Sequence, residues 1–307
     1  MAVRTKEGLS RWIRATIGSR QGDPLSPLMF LTILEKMMEK MECNDTGGIE
    51  IQGRKIKDLR FADDIDLLAE NEEDLQKLTT ELHESGKSYG LMINKGKTKV
   101  MVMGKDTRAD IRIDGENIEQ VDQFVYLGSL ITKDNNCSLE IKRRIGIAAG
   151  TYGSLNEIWK STKISFQNKL KLLDSCVMST LLYACEAWTL KKEDKRRLDA
   201  FEMRCYRRML RVKWTERRTN ESIRVQINRM KTITTRVLER KMSFFGHICR
   251  MKDDRLIKMV VFAKTEGKRK RGRPTRRWVD DIEEWSGGKI WMAKRQAESR
   301  QGFWKRR

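Results

Sequence analysis

Histidine is almost missing from this chain: only His83 and His247 occur in 307 residues, and the six cysteines never come in close pairs. Cys43, Cys137, Cys176, Cys185, Cys205 and Cys249 lack the spacing of a zinc knuckle or a disulfide framework, and several sit in apolar helical context. They read as reduced core thiols, and His247-Ile248-Cys249 reads as packing rather than as a metal site. The sequence also has no apolar run of membrane-spanning length and no signal peptide, so the expectation is a soluble, intracellular chain with no membrane partner. Acidic residues run short in one half only: residues 1–150 sum to −2 and residues 151–307 to +23, which together give the +21 of the whole chain.

An excess of this size implies a polyanion. Lysine and arginine spread over the second half would neutralise phosphates and release counterions, giving binding that depends strongly on salt and little on sequence. The competing explanation is a solvated basic surface without a fixed partner. The densest run is Lys268-Arg269-Lys270-Arg271-Gly272-Arg273-Pro274-Thr275-Arg276-Arg277. Its Arg-Gly-Arg-Pro resembles the core of an AT-hook, but non-specific nucleic-acid contact or nuclear import is the favoured role, which makes a nuclear location the expectation over a cytoplasmic one. Trp278 and Trp285, just beyond, suggest a small amphipathic helix.

The most informative segment is Leu59-Arg60-Phe61-Ala62-Asp63-Asp64-Ile65-Asp66-Leu67-Leu68-Ala69, which sets adjacent carboxylates in an apolar strand–turn–strand pattern. An Asp-Asp pair is a good hairpin turn in its own right. In an apolar frame, however, burial and mutual repulsion would protonate one of the pair unless Mg²⁺ or another hard, oxygen-seeking cation sits beside it. Upstream, Arg20-Gln21-Gly22-Asp23-Pro24-Leu25-Ser26-Pro27-Leu28-Met29-Phe30 joins a glycine- and proline-punctuated loop to the apolar start of a helix, a backbone suited to lying against a flat ligand.

These two segments resemble the palm of reverse transcriptases, specifically those of non-LTR, LINE-like retrotransposons of the endonuclease–reverse transcriptase type. Two further segments follow in the order of that family: Gly90-Leu91-Met92-Ile93-Asn94-Lys95-Gly96-Lys97-Thr98-Lys99, and Phe124-Val125-Tyr126-Leu127-Gly128-Ser129, which looks like the primer-grip hairpin. Phe245-Gly246-His247, Arg271-Gly272-Arg273-Pro274 and Arg277-Trp278 resemble the tails of such elements.

The resemblance implies an RNA-directed DNA polymerase working by two-metal nucleotidyl transfer, with Mg²⁺ as cofactor and an RNA template, a DNA primer and deoxynucleoside triphosphates as partners. Asp63 and Asp64 would be the catalytic, metal-holding carboxylates, Asp63 in direct contact and Asp64 in a weaker role, since neighbouring strand residues point to opposite faces. Arg20, Gln21 and Gly22 would touch nucleotide and template, Lys97 and Lys99 the triphosphate, and Tyr126, Leu127 and Gly128 the primer. Lys268, Arg269, Lys270, Arg271, Arg273, Arg276 and Arg277 would form a nucleic-acid tail.

One departure is plain. The family uses three carboxylates, the first on a strand before the Arg-Gln-Gly loop, and the sole acidic residue ahead of Arg20 is Glu7, in a turn-like stretch. The expectation is therefore a truncated polymerase: a partial palm over residues 1–133, a helical thumb over 134–260 and a basic tail over 261–307. Its fold class would be α+β, a β-hairpin flanked by helices followed by an all-helical part. A catalytically inactive nucleic-acid-binding remnant is the alternative. Helical periods cover 28–42, 72–89, 138–159, 165–183, 193–210 and 234–250, and alternation marks strands over 50–69 and 99–132. Leu170, Leu173, Val177 and Leu181 form an apolar stripe, with Tyr183, Trp188, Phe201, Tyr206 and Trp214 around it as core or, beside their arginines, as base-stacking rings.

Overall fold

The computed structural model describes residues 2, 4–6, 8–12, 18, 22–42, 47–103, 108–263 and 276–298. The chain divides into two compact units, residues 1–100 with 108–120, and residues 101–107 with 121–307.

The first unit is built from short antiparallel hairpins and two helices. The strands β1 (Arg4–Thr5) and β2 (Gly8–Leu9) form a minimal ladder ahead of helix α1 (Ser26–Glu42). Asp23 starts that helix, its carboxylate accepting from the Leu25 amide at 3.0 Å, and Pro27 occupies the first turn, where no amide partner is needed. Next come two hairpins, β3 (Ile49–Ile51) with β4 (Arg54–Ile56), and β5 (Asp58–Phe61) with β6 (Asp64–Leu67).

Helix α2 (Glu72–Ser88) is capped by Asn71, whose side chain accepts from the Asp74 amide at 2.8 Å, and Glu72, Glu73 and Asp74 oppose the positive end of its dipole. A last hairpin pairs β7 (Arg112–Ile113) with β8 (Glu116–Asn117). The core is small: Leu34, Met37 and Met38 of α1 meet Leu78 and Leu82 of α2, with Phe30, Ile65, Leu67, Leu91 and Ile93 around them. Gly47 lies so close to this core that a β-carbon there would fall 2.8 Å from Leu78 Cδ1.

The second unit opens on one hairpin, β9 (Gln123–Tyr126) with β10 (Ser129–Thr132), and is otherwise helical: α3 (Cys137–Ser154), α4 (Asn156–Lys160), α5 (Phe166–Leu172), a π-helical turn at Leu173–Met178, and α6 (Ser179–Leu181). Further on are α7 (Lys192–Met209), α8 (Asn220–Gln226), α9 (Ile233–Arg250), α10 (Leu256–Phe262), α11 (Trp278–Ser286) and α12 (Ile290–Glu298). The expected stripe of Leu170, Leu173, Val177 and Leu181 is fully buried and runs through the π-helical turn. Trp159, Trp188, Phe201 and Tyr206 complete the same core.

Carboxylates in and beside this core are matched by cations. Glu202 takes Arg224 at 2.6 Å, and Asp174 takes Arg229 at 2.7 Å and Arg236 at 3.0 Å. Lys241, wholly buried, donates to Asp281 at 2.5 Å and to the Trp188 carbonyl at 2.7 Å, and lies 4.9 Å over the Trp278 ring. Burial pulls the Lys241 ammonium down from its ordinary range while Asp281 pushes back. This contact fastens α11 to α9, so residues 278–286 are the small helix expected from the two tryptophans.

The cysteines agree with the expectation of reduced thiols: Cys137, Cys176, Cys185, Cys205 and Cys249 are all free, and burial pushes Cys185 and Cys205 up to about 12. Cys43 lies outside the described residues. The packing role expected of His247 is not seen. It is exposed on α9 while Ile248 and Cys249 turn inward, because residue 247 falls on the solvent side of the helical period. No helix among the described residues is long and apolar enough to cross a membrane.

Candidate active site

The carboxylate hairpin forms because Leu59–Phe61 and Ile65–Leu67 alternate in two strands of matched length. Its register pairs Phe61 with Asp64, Arg60 with Ile65, Leu59 with Asp66 and Asp58 with Leu67. Opposed residues share a face. Ile65 and Leu67 therefore turn toward the α1–α2 core, and on the same side Arg60 binds Asp58 at 2.5 Å and Glu35 of α1 at 3.1 Å. The other face carries Leu59, Phe61, Asp64 and Asp66, and Phe61 is exposed.

The turn lies one residue earlier than an Asp-Asp turn would place it. Its two central residues are Ala62 and Asp63, and Asp64 already belongs to β6. Ala62 has φ +54, left-handed backbone that costs an L side chain about 1–2 kcal/mol. Two other tight hairpins of this unit put glycine at the second position: Gln52-Gly53 at φ +53 and +79, and Asp114-Gly115 at φ +49 and +80. The carboxylate hairpin holds its turn without glycine, which leaves the Asp63 side chain at the tip.

Contrary to expectation, Asp63 and Asp64 are exposed rather than buried, because the tip projects past the residues that pack on α1 and α2. Among the described residues neither carboxylate has a hydrogen-bond or ion-pair partner. Two adjacent hard oxygen donors in water suit a divalent cation such as Mg²⁺, but the described residues contain no group of three or more His, Cys, Asp or Glu side chains placed to hold one. The donor set present, two carboxylates, falls short of a complete metal centre.

The remaining motif residues fall as follows. Gly22 sits in the turn before α1 at φ +89, a conformation that suits glycine, whereas Arg20, Gln21 and Glu7 lie outside the described residues. Lys97 is exposed in the loop after α2, and Lys99 is tied to Glu119 at 2.6 Å. Beside them, Asp114 accepts from Lys87 at 2.7 Å and from the buried His83 at 2.9 Å, contacts that hold its carboxyl below the usual range.

Tyr126, Leu127 and Gly128 belong to the second unit, at the tip of the β9–β10 hairpin. Leu127 and Gly128 form the turn at φ +45 and +76, both positive as a type I′ turn requires. The Leu127 carbonyl accepts from Tyr183 Oη at 2.8 Å, and the Gly128 carbonyl accepts from Arg143 at 3.3 Å and from Arg144. Arg144 lies 4.4 Å over the Tyr183 ring, and its Nε binds the buried Glu140 at 2.6 Å. This clasp was not anticipated from sequence, although the i,i+4 spacing of Glu140 and Arg144 was its visible signal.

Of the basic tail, Lys268, Arg269, Lys270, Arg271 and Arg273 lie outside the described residues. Arg276 is engaged by Asp281 at 2.5 Å and by Glu284, and Arg277 by Asp280 at 3.1 Å. Both cap α11 within the chain rather than extending from it.

Residues 3–131, which contain the Gly22 turn and both hairpin tips, match the family of reverse transcriptases (RNA-dependent DNA polymerases). A transposon-derived protein of Caenorhabditis elegans is 31% identical over 245 residues, covering 76% of this chain and 86% of that protein. Pol polyproteins of the type-1 retrotransposable element R2 are also similar. That of Nasonia vitripennis is 33% identical over 138 residues (41% of this chain, 13% of the polyprotein), and one from Popillia japonica is 28% identical over 121 residues (36% and 20%). The chain belongs to the reverse transcriptases of non-LTR retrotransposons. It spans most of the worm protein but a quarter or less of these polyproteins.

Proposed function

We propose that this chain carries two of the three carboxylates of a nucleotidyl-transfer centre, Asp63 and Asp64, and that polymerisation requires a third that its described residues do not contain. The observation behind this reading is the strained, glycine-free turn that presents two adjacent, uncompensated carboxylates. When bound, Mg²⁺ at such a centre activates the primer 3′-hydroxyl and neutralises the nucleotide phosphates. Asp63, at the tip, would hold the ion directly. Asp64, the first residue of the strand, would orient or second it. Gly22 leaves room for a nucleotide or template to approach the backbone, the exposed Lys97 offers its cation to phosphate, and the clasped turn at Tyr126-Leu127-Gly128 presents a fixed edge to a primer terminus.

The partners in this reading are an RNA template, a DNA primer and deoxynucleoside triphosphates, with the basic second half supplying phosphate contacts and the run from Lys268 to Arg277 supporting nuclear import. Preorganised charge supplies the largest part of catalysis in such sites. Two carboxylates alone should therefore leave only traces of activity.

Primer extension on a homopolymeric RNA template in Mg²⁺ tests this. The chain alone should match its Asp63→Ala/Asp64→Ala variant, whereas the chain joined to an upstream palm strand bearing a carboxylate should extend, and the same double substitution should abolish that extension. Extension by the joined protein that survives the double substitution would overturn the assignment. The second reading, a nucleic-acid-binding protein without catalysis, is favoured by the charge of +23 over residues 151–307 and predicts salt-sensitive binding with no extension in either form.

A further inference from the structure

Burial separates the aromatic residues that the sequence placed among the arginines of the second unit. Trp188, Phe201 and Tyr206 are core, and Tyr183 is occupied by Arg144 and the Leu127 carbonyl. Trp214 is 89% exposed. We propose that Trp214 is a stacking platform for an unpaired nucleotide, with the cations around it holding the flanking phosphates, so that the ligand is single-stranded nucleic acid. The proposal deepens the reading of this unit as nucleic-acid-binding and rests on it.

The indole is displayed on a fixed backbone. Trp214 begins a 3-10 turn, Trp214–Glu216, between α7 and α8. The Lys213 amide donates to Glu216 Oε1 at 2.7 Å, and the Glu216 amide returns to the Lys213 carbonyl at 3.1 Å. On the near side Val212 packs against the core and donates to the Arg207 carbonyl at 3.0 Å, and on the far side Arg207 donates to the Arg218 carbonyl at 2.7 Å. A large ring held exposed on an anchored turn loses little freedom when a ligand covers it.

Charge identifies the ligand. Residues 204–218 hold seven basic residues and one acidic residue. None of the seven forms an ion pair with a carboxylate among the described residues, although Arg224, Arg229 and Arg236 of the same unit all do. Four of the unmatched guanidinium groups are oriented by uncharged acceptors, Arg207 by the Arg218 carbonyl, Arg208 by Asn156 Oδ1 at 2.9 Å, Arg211 by the Lys160 carbonyl and Arg218 by Gln226 Oε1 at 2.7 Å. Lys213 and Arg217 flank the indole and are exposed. A protein partner would need matching carboxylates and a larger apolar surface. A single strand brings phosphates at regular spacing and bases with open faces, and every base has a face to stack. A duplex brings the phosphates but hides the faces.

The test is fluorescence anisotropy of a labelled 12-nucleotide oligo(dT) and of a duplex of equal length, titrated with the full chain and with Trp214→Ala, Trp214→Leu and Trp214→Phe. Trp214→Ala and Trp214→Leu should each weaken single-strand binding about tenfold, Trp214→Phe should recover most of it, and duplex binding should change far less. The salt slope should stay that of the parent in all three, whereas Arg217→Gln should reduce it by about 0.7 for one lost phosphate contact. Equal single-strand affinity of the parent and Trp214→Leu would overturn the platform while leaving nucleic-acid binding intact. So would a shift in oligomeric state caused by Trp214→Leu, which would assign the ring to a second copy of the chain. If the parent binds neither probe, the nucleic-acid reading fails first, and the platform with it.

Discussion

The two units differ in how much apolar surface they cover. In the second, apolar side chains from α3 to α9 close over Leu173, Val177, Leu181 and Leu198, and buried carboxylates meet arginine or lysine. In the first, α1 buries Leu34, Met37 and Met38 on one side and exposes Leu28, Met29, Leu31 and Ile33 elsewhere, Leu25 is exposed just ahead of it, and Leu59 and Phe61 are exposed beside Asp64. The first turns of α1, Leu28 to Leu34, are apolar on more than one side, the composition of a segment packed on several sides. The second unit thus closes its own core, whereas the first presents the surface of a fold that takes further layers, and its two uncompensated carboxylates lie on such a surface.

The largest effect that would break this comparison concerns Asp281. Replacing it with alanine leaves Lys241 charged and buried, and should cost the second unit about 3–5 kcal/mol, read as a fall of roughly ten degrees in its thermal midpoint. Asp63→Ala, in water with no partner, should change stability by less than about 0.5 kcal/mol in the same scan. Equal losses would erase the distinction between a structural and an uncompensated carboxylate.

A smaller effect separates the two hairpin tips. Gly128→Ala should cost about 1 kcal/mol or more, since φ is +76 and the Tyr183 ring lies 3.5 Å from the added carbon. Ala62→Gly should instead stabilise by about 0.5 kcal/mol, the relief of left-handed strain less the entropy of glycine. Denaturant midpoints measure both, and a loss at Ala62→Gly would mean that the alanine turn is unstrained.

The smallest effect is the response to acid. Burial raises the Asp174 carboxyl, but Arg229 and Arg236 outweigh it and hold the group below its ordinary value. A carboxyl depressed in the folded state contributes stability that is present above its unfolded pKa, near 4, and lost as pH falls through the folded value. Unfolding free energies between pH 5 and 2 should therefore decline less steeply in Arg229→Gln/Arg236→Gln than in the parent. An unchanged slope would remove Asp174 from the account.

Much of this was legible in sequence because the signals are local and repeated. The stripe Leu170, Leu173, Val177 and Leu181 places four apolar groups on one helical face, and all four are buried. The long helices fall within a few residues of their apolar periods. Helices α8, α10 and α12 went unread, since seven to nine residues give two turns or so and too few repeats to outweigh noise.

The carboxylate pair was legible as residues but not as geometry. Asp-Asp satisfies turn chemistry as well as Ala-Asp does, and a shift of one position changes which side chain sits at the tip. Burial of the pair was misjudged because the apolar residues around it alternate, and only Ile65 and Leu67 face the core. Trp214 was unreadable for another reason: a tryptophan beside arginines looks alike in a core and on a surface, and only the fold distinguishes Trp188 from Trp214.

The most direct measurement of the central claim is paramagnetic broadening of backbone NMR signals by Mn²⁺, compared between the parent chain and Asp63→Asn/Asp64→Asn. The account predicts broadening centred on residues 61–66 in the parent and its loss in the double variant. Broadening centred elsewhere, or persisting at 61–66 after both carboxylates are removed, would contradict it.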